Sequence, residues 1–387
     1  MILVFADDLS GAAELAGIAA SFGLKAEVAT QGTASSKAQL LAIDTQTRDL
    51  SSDDAAKQCA QIYEQTAALN PDWIYKKTDS ALRGNIRAEL LSFSQSTGRT
   101  HILFIPANPQ KNRCILNGSY AVDGIPLHRS IFAQDPEHPI TTSKVAQEIR
   151  RETTFPIHCP KAKEPGETQG WVIPDISTRE DIEFRIREVT ANTLPAGAAE
   201  FFTALLGQSL PTTHSPVKAT LELDSPRLLV SGSLASWDQG IETSARQHNV
   251  SSHLLQDKDT WISKTRQSLE RDGMAVMAIG QAAHIKIDTD QATSQDQLLS
   301  PLVESATAII RRDAIDTLLI EGGATATALI QQMGWTQFDV VPSPLEGTGC
   351  LIPKPSDRKL KLVIKPGSYP WPSAIWQDLA PPNYSSP

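Results

Sequence analysis

The sequence predicts an α/β protein of two Rossmann-like domains with a substrate and nucleotide cleft between them. Three observations carry that prediction. Short apolar runs alternate with longer helical patterns along nearly the whole chain, which is the α/β signature. At 387 residues the chain exceeds one ordinary core, so two domains of roughly 150–200 residues each are expected. A polar, proline-containing stretch without periodicity, LPTTHSPVKATLELDS at Leu210–Ser225, separates two alternating series. The expected division is one α/β domain over 1–210, a linker over 211–225 and a second α/β domain over 226–387.

In chain order, Ile2–Ala6 reads as a strand, Gly11–Phe22 as an alanine-rich helix stopped by Gly23, and Ala26–Thr30 as the next strand. Strands follow at Leu40–Ile43, Trp73–Lys77 and His101–Pro106. Helices fit Asp53–Leu69 and Ala81–Phe93, the latter with Leu82, Ile86 and Leu90 on one face. Proline and glycine punctuate Phe155–Gly170, before a strand at Trp171–Ile173 and a charged helix at Arg179–Val189. Beyond the linker, strands are expected at Leu228–Ser231, Ala275–Ile279, Thr317–Ile320 and Leu360–Lys365. The helices between them fit Asp238–Gln247, Ile262–Arg271 and Leu302–Arg311. No short internal repeat is evident, and the proline-rich tail after Trp371 reads as loop.

Composition narrows the function. Hydrophobic residues make up 40% of the chain and charged residues 20%, as in a folded globular protein. A net charge of −9 argues against nucleic acid as a main partner, since phosphate backbones reward basic surfaces. The run Ile2–Ala6 is too short for a signal peptide and lacks a basic flank, and no stretch approaches the roughly 18–20 apolar residues of a membrane span. The expectation is a soluble, cytoplasmic protein without a membrane partner. Cys59, Cys114, Cys159 and Cys350 lack CxxC spacing and read as reduced thiols.

Two polar constellations stand at the ends of predicted strands. In ILVFADDLSGA, Asp7 and Asp8 follow the first strand, where ligands of open α/β sheets bind. Ser10 is placed to cap the helix, and Gly11 lets a ligand approach the backbone. One carboxylate can orient or deprotonate a substrate hydroxyl and the other can help hold a metal; a plain strand–helix cap fits the same residues. In YKKTDSALRG, Lys77, Thr78, Asp79, Ser80 and Arg83 follow another strand, with Ser80 as the expected N-cap. Cations and a helix start suit a carboxylate, while acids suit the hydroxyls of a polyol; a solvated cap with Arg83 on a surface acid is the alternative. Arg48, in DTQTR after Leu40–Ile43, could add another cation to that crevice or lie on the surface. In the second half, Gly322 and Gly323 followed by Ala324 and Thr325 make a small-residue turn into a helix, which suits phosphates. Ser233 and Gly367 stand at or near other strand ends. A strand–Gly–Gly–helix turn is also a common packing device. No Walker A motif is present.

These segments carry a resemblance. ADDLSGAAELAG resembles the opening of the four-carbon acid sugar kinase family, and KKTDSALRGN its K-x-D-S-x-x-R-G-N segment. IPANPQKNRCILNG and VDGIPLHRSIFAQDPEHPI, within Ile105–Ile140, are similar to its proline-rich stretch and following signature. Leu228–Ser233 is similar to its V-x-G-S strand end, Ile320–Ala326 to its GGDTA nucleotide loop, and Ile364–Tyr369 to its closing motif. Ala324 stands in place of the loop's Asp, and Pro370 in place of a closing glycine.

The resemblance implies ATP-dependent phosphorylation of a terminal hydroxyl of threonate, erythronate or 3-oxo-tetronate, with Mg2+. Arg48, Lys77 and Arg83 would hold the carboxylate, with Thr78 beside them, and Asp79 and Ser80 would order the hydroxyls. Asp8, with Asp7 its neighbour, would orient or deprotonate the attacking oxygen. Ser233, Gly322, Gly323, Ala324, Thr325 and Gly367 would bind ATP, making 1–210 the sugar-acid-binding domain and 226–387 the nucleotide-binding domain. The metal ligands are not identifiable, although Glu321 could compensate for the lost Asp. A homo-oligomer is compatible with the sequence. A sugar-acid-binding pseudokinase or sensor, or another sugar-acid enzyme using Lys77, stays open.

Overall fold

The computed structural model describes residues 1–33, 36–135, 138–150, 156–210, 223–232, 240–248, 250–254, 258–279, 295–343, 345, 347–355, 360–365 and 371–377. The chain divides into two compact α/β units, Met1–Pro216 and Val217–Pro387.

The first unit is built on parallel strands. These are β1 (Ile2–Ala6), β2 (Ala26–Ala29), β3 (Leu40–Asp44), β4 (Trp73–Lys77) and β5 (His101–Ile105). A small antiparallel sheet follows, of β6 (Arg113–Leu116), β7 (Ser119–Val122) and β8 (Ile125–Pro126). Three more strands, β9 (Ile157–His158), β10 (Gly170–Val172) and β11 (Thr193–Gly197), return to the main sheet. Within this unit the main sheet runs β2-β3-β1-β4-β11-β5-β10-β9, and the registered pairs are all parallel. All five residues of β1, β3 and β5 are buried, which explains why these strands read as unbroken apolar runs. The helices are α1 (Leu9–Ser21), α2 (Ser52–Thr66), α3 (Ile86–Thr97), α4 (Val145–Arg150), α5 (Arg179–Arg185) and α6 (Ala199–Ser209).

Register places the polar residues. Ala6 lies opposite both Asp44 of β3 and Lys77 of β4, so Asp7, Asp44 and Lys77 share one carboxyl edge of the sheet. Alternation along β4 sends Lys76 and Lys77 to opposite faces. The Lys76 ammonium is fully buried 2.8 Å from Glu89 of α3, whereas the Lys77 ammonium faces Glu14 of α1.

Two sequence expectations give way here. The helix expected at Ala81–Phe93 begins only at Ile86, because the Asp79 carboxylate accepts from the amides of Ala81 and Arg83 and closes a turn. Leu82 (φ 63°) and Gly84 (φ 85°) then take left-handed backbone that no helix continues. Ser80 therefore caps nothing. The strand Thr193–Gly197 carries Pro195 inside a sheet, which hid it from the pattern. Its Gly197 is obligatory: a Cβ there would stand 1.9 Å from the Ile105 carbonyl oxygen.

The second unit contains β12 (Arg227–Ser231), α7 (Glu242–Gln247), β13 (Ser251–Leu254), α8 (Lys258–Asp272) and β14 (Met274–Ala278). It continues with α9 (Gln295–Arg312), β15 (Thr317–Glu321), α10 (Gly323–Met333), β16 (Gln337–Val341), β17 (Gly349–Lys354) and β18 (Lys361–Lys365). Its strands run β13-β14-β12-β15-β18-β17-β16; the first five are parallel, and β17 is antiparallel to both neighbours. Leu229, Val276, Leu319 and Val363 meet in one apolar cluster with Trp376. The tail expected as loop thus contributes a buried Trp376 from a short 3-10 turn, Ser373–Trp376. Most of the expected linker, residues 211–222, lies outside the described residues.

Two outcomes follow. Burial pushes the Cys59 and Cys350 thiols up to about 12 and about 11, whereas Cys159 is exposed. At pH 8 a thiol-disulfide reagent should therefore label Cys159 at once and Cys59 and Cys350 only on unfolding, as peptide mass mapping would show. Lys76→Met strands the Glu89 carboxylate in the interior and should cost about 3–5 kcal/mol in chemical denaturation. Adding Glu89→Leu should restore most of that loss; an unchanged midpoint in the single variant would show that the pair is idle.

Candidate active site

Strand β1 delivers Asp7 and Asp8 to the sheet edge and α1 starts immediately after them. Asp8 has an extended backbone, and its Oδ1 accepts from the Gly11 amide at 2.8 Å, so Asp8 is the N-cap. Ser10, expected in that role, lies one residue inside the helix and donates its hydroxyl to Asp8 Oδ2 at 2.6 Å. Gly11 serves close packing as well: a Cβ there would lie 2.9 Å from Asp8 Oδ1 and 3.3 Å from Lys77 Cγ.

One guanidinium ties the two carboxylates together. Arg48 Nε donates to Asp7 Oδ2 and Nη1 to Asp8 Oδ2, each at 2.8 Å, while Nη2 stands 3.9 Å from Asp79. Arg48 is thus committed to acids of the chain itself. The loop that carries it is pinned by the Thr45 and Thr47 amides, which donate to the carbonyls of Ala6 and Asp7. Below, the Thr47 hydroxyl donates to Glu89, the partner of Lys76.

Arg83 is held by Asp79 through a two-pronged pairing, Nε and Nη2 each at 2.9 Å, and reaches Asp135 at 3.2 Å. Arg113 donates to the Ser80 hydroxyl, and both guanidiniums lie over the Phe132 ring, at 5.6 Å for Arg83 and 5.4 Å for Arg113. The Tyr120 hydroxyl donates to the Ser80 carbonyl. Thr78 is fully buried, and its hydroxyl has no hydrogen-bond partner; neither has Asp7 Oδ1. Lys77 Nζ donates to the Thr78 carbonyl at 3.0 Å.

Burial would raise the Asp7 carboxyl, but the Arg48 guanidinium and the Lys76 ammonium outweigh it and hold it low. For Asp79 burial is likewise overridden, by Arg83 and Arg48, and its carboxyl sits well below the usual range. Asp44 goes the other way: burial, then the neighbouring Asp8 charge, pushes it well up. Burial and neighbouring charge thus move Asp44 in the opposite direction from Asp7 and Asp79.

The structure brings Asp7, Asp8 and Arg48 together, links Arg48 toward Asp79, and places Asp79, Ser80 and Arg83 in one turn after Lys77 and Thr78. Sequence reasoning gave no role to Glu14, Lys111, Arg113, Phe132 or Asp135. All five lie inside segments that matched the family motifs, so their positions were visible and their contacts were not.

In the second unit, Gly322 (φ 95°) turns the chain from β15 into α10, and no side chain caps that helix start. Ala324 is exposed there. Thr325 is buried, its hydroxyl so close over Gly232 that a Cβ on Gly232 would stand 2.2 Å from it. Glu321 accepts from Lys365 Nζ at 2.6 Å and from the Ser231 hydroxyl at 2.9 Å. Ser233 and Gly367, expected beside this turn, lie outside the described residues.

Residues 2–203 match a family model described as a sugar-binding N-terminal domain. A D-threonate kinase of Salmonella typhimurium is 32% identical over 167 residues, 41% of this chain and 38% of that protein. A D-threonate kinase of Bordetella bronchiseptica is 32% identical over 150 residues, 37% of each chain. The chain thus spans under two fifths of the length of these curated relatives. In fold, a Salmonella typhimurium LT2 protein solved under a tRNA synthase name superposes with a TM-score of 0.76 at 18% identity, covering 98% of this chain and 99% of that one. Matched over more than half of its length, the chain belongs to the sugar-binding N-terminal domain family and, with its curated relatives, to the four-carbon acid sugar kinase family.

Proposed function

We propose that the protein is an ATP-dependent kinase that phosphorylates a terminal hydroxyl of a four-carbon sugar acid of the threonate, erythronate or 3-oxo-tetronate type. The observation that carries this reading is the Asp8 carboxylate. It is fixed by the Gly11 amide, the Ser10 hydroxyl and Arg48 at a strand end of the sugar-binding domain. Positioning supplies most of the catalysis of phosphoryl transfer, and a carboxylate locked by three donors is positioned.

In this reading Asp8 accepts a hydrogen bond from the attacking hydroxyl and takes its proton as the O–P bond forms. Asp7, held ionised beside it, keeps Arg48 in place. Lys77 and Arg83 supply positive charge for the substrate carboxylate, while Arg48, expected beside them, instead holds Asp7 and Asp8 in position. Thr78, Asp79 and Ser80 border the seat of the hydroxyls. ATP, when bound, would supply the phosphoryl group, whose bond to the departing ADP breaks as the new O–P bond forms. The residues present fit its phosphates: Gly322, Gly323, Ala324 and Thr325 form a helix start whose amides no side chain caps. Ser233 and Gly367 are proposed with them from sequence alone. Magnesium would accompany the nucleotide phosphates, and its protein ligands are left unassigned.

A second reading, a sugar-acid binder without transfer, is favoured by Ala324, which leaves the uncapped turn without the carboxylate of the resembled loop. One experiment separates the two. Incubation with ATP, magnesium and D-threonate, D-erythronate or a 3-oxo-tetronate should give a product heavier by one phosphoryl group in mass spectrometry. Tight acid binding without that product would establish the binder.

Two variants test the roles. Asp8→Asn should lower turnover by at least about 10²–10⁴-fold with ATP affinity nearly intact, and near-normal turnover would remove Asp8 from the chemistry. Lys76→Met combined with Glu89→Leu removes one of the charges opposing the effect of burial on Asp7 while leaving Arg48 in place, so the Asp7 carboxyl rises and the acid limb of the pH–activity profile should move to higher pH. An acid limb that stays in place would show that Asp7 does not set it.

A further inference from the structure

Around the Asp7–Arg48–Asp8 clamp, carboxylates are locked by short bonds. Asp7, Asp8 and Asp79 each meet a guanidinium at 2.8–2.9 Å, and Asp8 and Asp79 also accept backbone amides. Glu14, in the second turn of α1, is different. Its Oε2 stands 3.7 Å from Lys77 Nζ and its Oε1 stands 3.6 Å from Lys111 Nζ, with no hydrogen bond to either. One carboxylate thus bridges two ammoniums, one at the end of β4 and one in the 3-10 turn Pro109–Lys111, each oxygen facing one cation.

That is also the arrangement in which two lysines would grip the two oxygens of an incoming acid. Glu14 has the weakest hold of these carboxylates, a flexible side chain and 12% exposure, so it is the one most easily displaced. The seat lies beside the proposed chemistry. The position a Gly11 Cβ would take is 2.9 Å from Asp8 Oδ1 and 3.5 Å from Lys77 Nζ, so carboxylate and ammonium flank the same point. Tyr75, Asp79 and Glu200 also feel this cluster: Glu14 acts on the Tyr75 phenol, Lys77 on the Asp79 carboxylate and Lys111 on Glu200.

We propose that Lys77 and Lys111 form a two-ammonium seat for the anionic oxygens of a small acid, and that Glu14 is the internal counter-ion which occupies this seat until the acid displaces it. The inference deepens the sugar-acid reading and rests on it for the identity of the acid. Glu14 then sets selectivity: it competes against any anion, and only a ligand that also satisfies the neighbouring hydroxyl-binding groups overcomes it. The shared ligand chemistry is a pair of anionic oxygens, which a sugar-acid carboxylate or a phosphate could both supply.

The test is calorimetric titration of the full chain without nucleotide, using D-threonate, inorganic phosphate and the uncharged polyol erythritol. Glu14→Gln should tighten D-threonate binding by roughly 3–30-fold, the worth of two partly exposed ion pairs. Lys111→Met should weaken it by a similar factor, and neither change should alter erythritol. Tightening confined to phosphate would support the seat and assign it to a phosphate. A Glu14→Gln protein that melts like the wild type yet binds both anions equally well or more weakly would overturn the proposal, because Glu14 would then organise the lysines rather than compete for them. The sugar-acid reading fails separately: in that case neither protein binds D-threonate, whatever phosphate does. Lys111→Met is read beside its own melting curve, and an unchanged D-threonate affinity in a folded Lys111→Met protein would remove Lys111 from the seat.

Discussion

The first unit's site depends on one guanidinium shared by two adjacent carboxylates. Asp7 and Asp8 leave β1 side by side, and like charges so placed repel unless a cation lies between them. Arg48 supplies it with two separate N–H groups, one per carboxylate, a geometry that a lysine ammonium could not reproduce with the same rigidity. Because Arg48 enters from the loop after β3, the bridge also fixes that loop against β1. Other features follow from it: the Asp8 cap on α1, the ionised Asp7, and the orientation of the Arg48 edge that stands 3.9 Å from Asp79.

The support beneath the clamp is as specific as the clamp. Lys76 and Lys77 are neighbours in sequence and point to opposite faces. Lys76 spends its charge on Glu89 in the interior, close enough to lower Asp7, while Lys77 stays at the sheet edge near Glu14. A buried ion pair of this kind gives little net stability but penalises any arrangement that separates it. It therefore sets register more than it adds stability.

Much of this was legible in the sequence, and the limits have physical causes. Strands such as Ile2–Ala6 and His101–Ile105 are buried on both faces, so their apolar runs are unambiguous. Asp7, Asp8, Lys77 and Arg83 could be singled out because strand ends and cation–acid mixtures are local patterns. What failed was local structure decided by side chains. Asp79 closes a turn where periodicity expects helix, and Asp8 takes the cap that Ser10 suggested. Contacts between distant segments were equally hidden: nothing in the sequence pairs Glu14 with Lys111, or sets Arg83 and Arg113 over one phenyl ring. In the second unit, the antiparallel strands Gln337–Val341 and Gly349–Lys354 lie where the sequence predicts no strand.

The proposed function seats a four-carbon sugar acid at the carboxyl edge of β1 and β4. A crystal structure of the protein soaked with D-threonate tests this most directly. The acid is expected at that edge, with a hydroxyl within hydrogen-bond distance of the Asp8 carboxylate and the Arg48 bridge intact. D-threonate bound elsewhere, with the surroundings of Asp8 untouched, would contradict it.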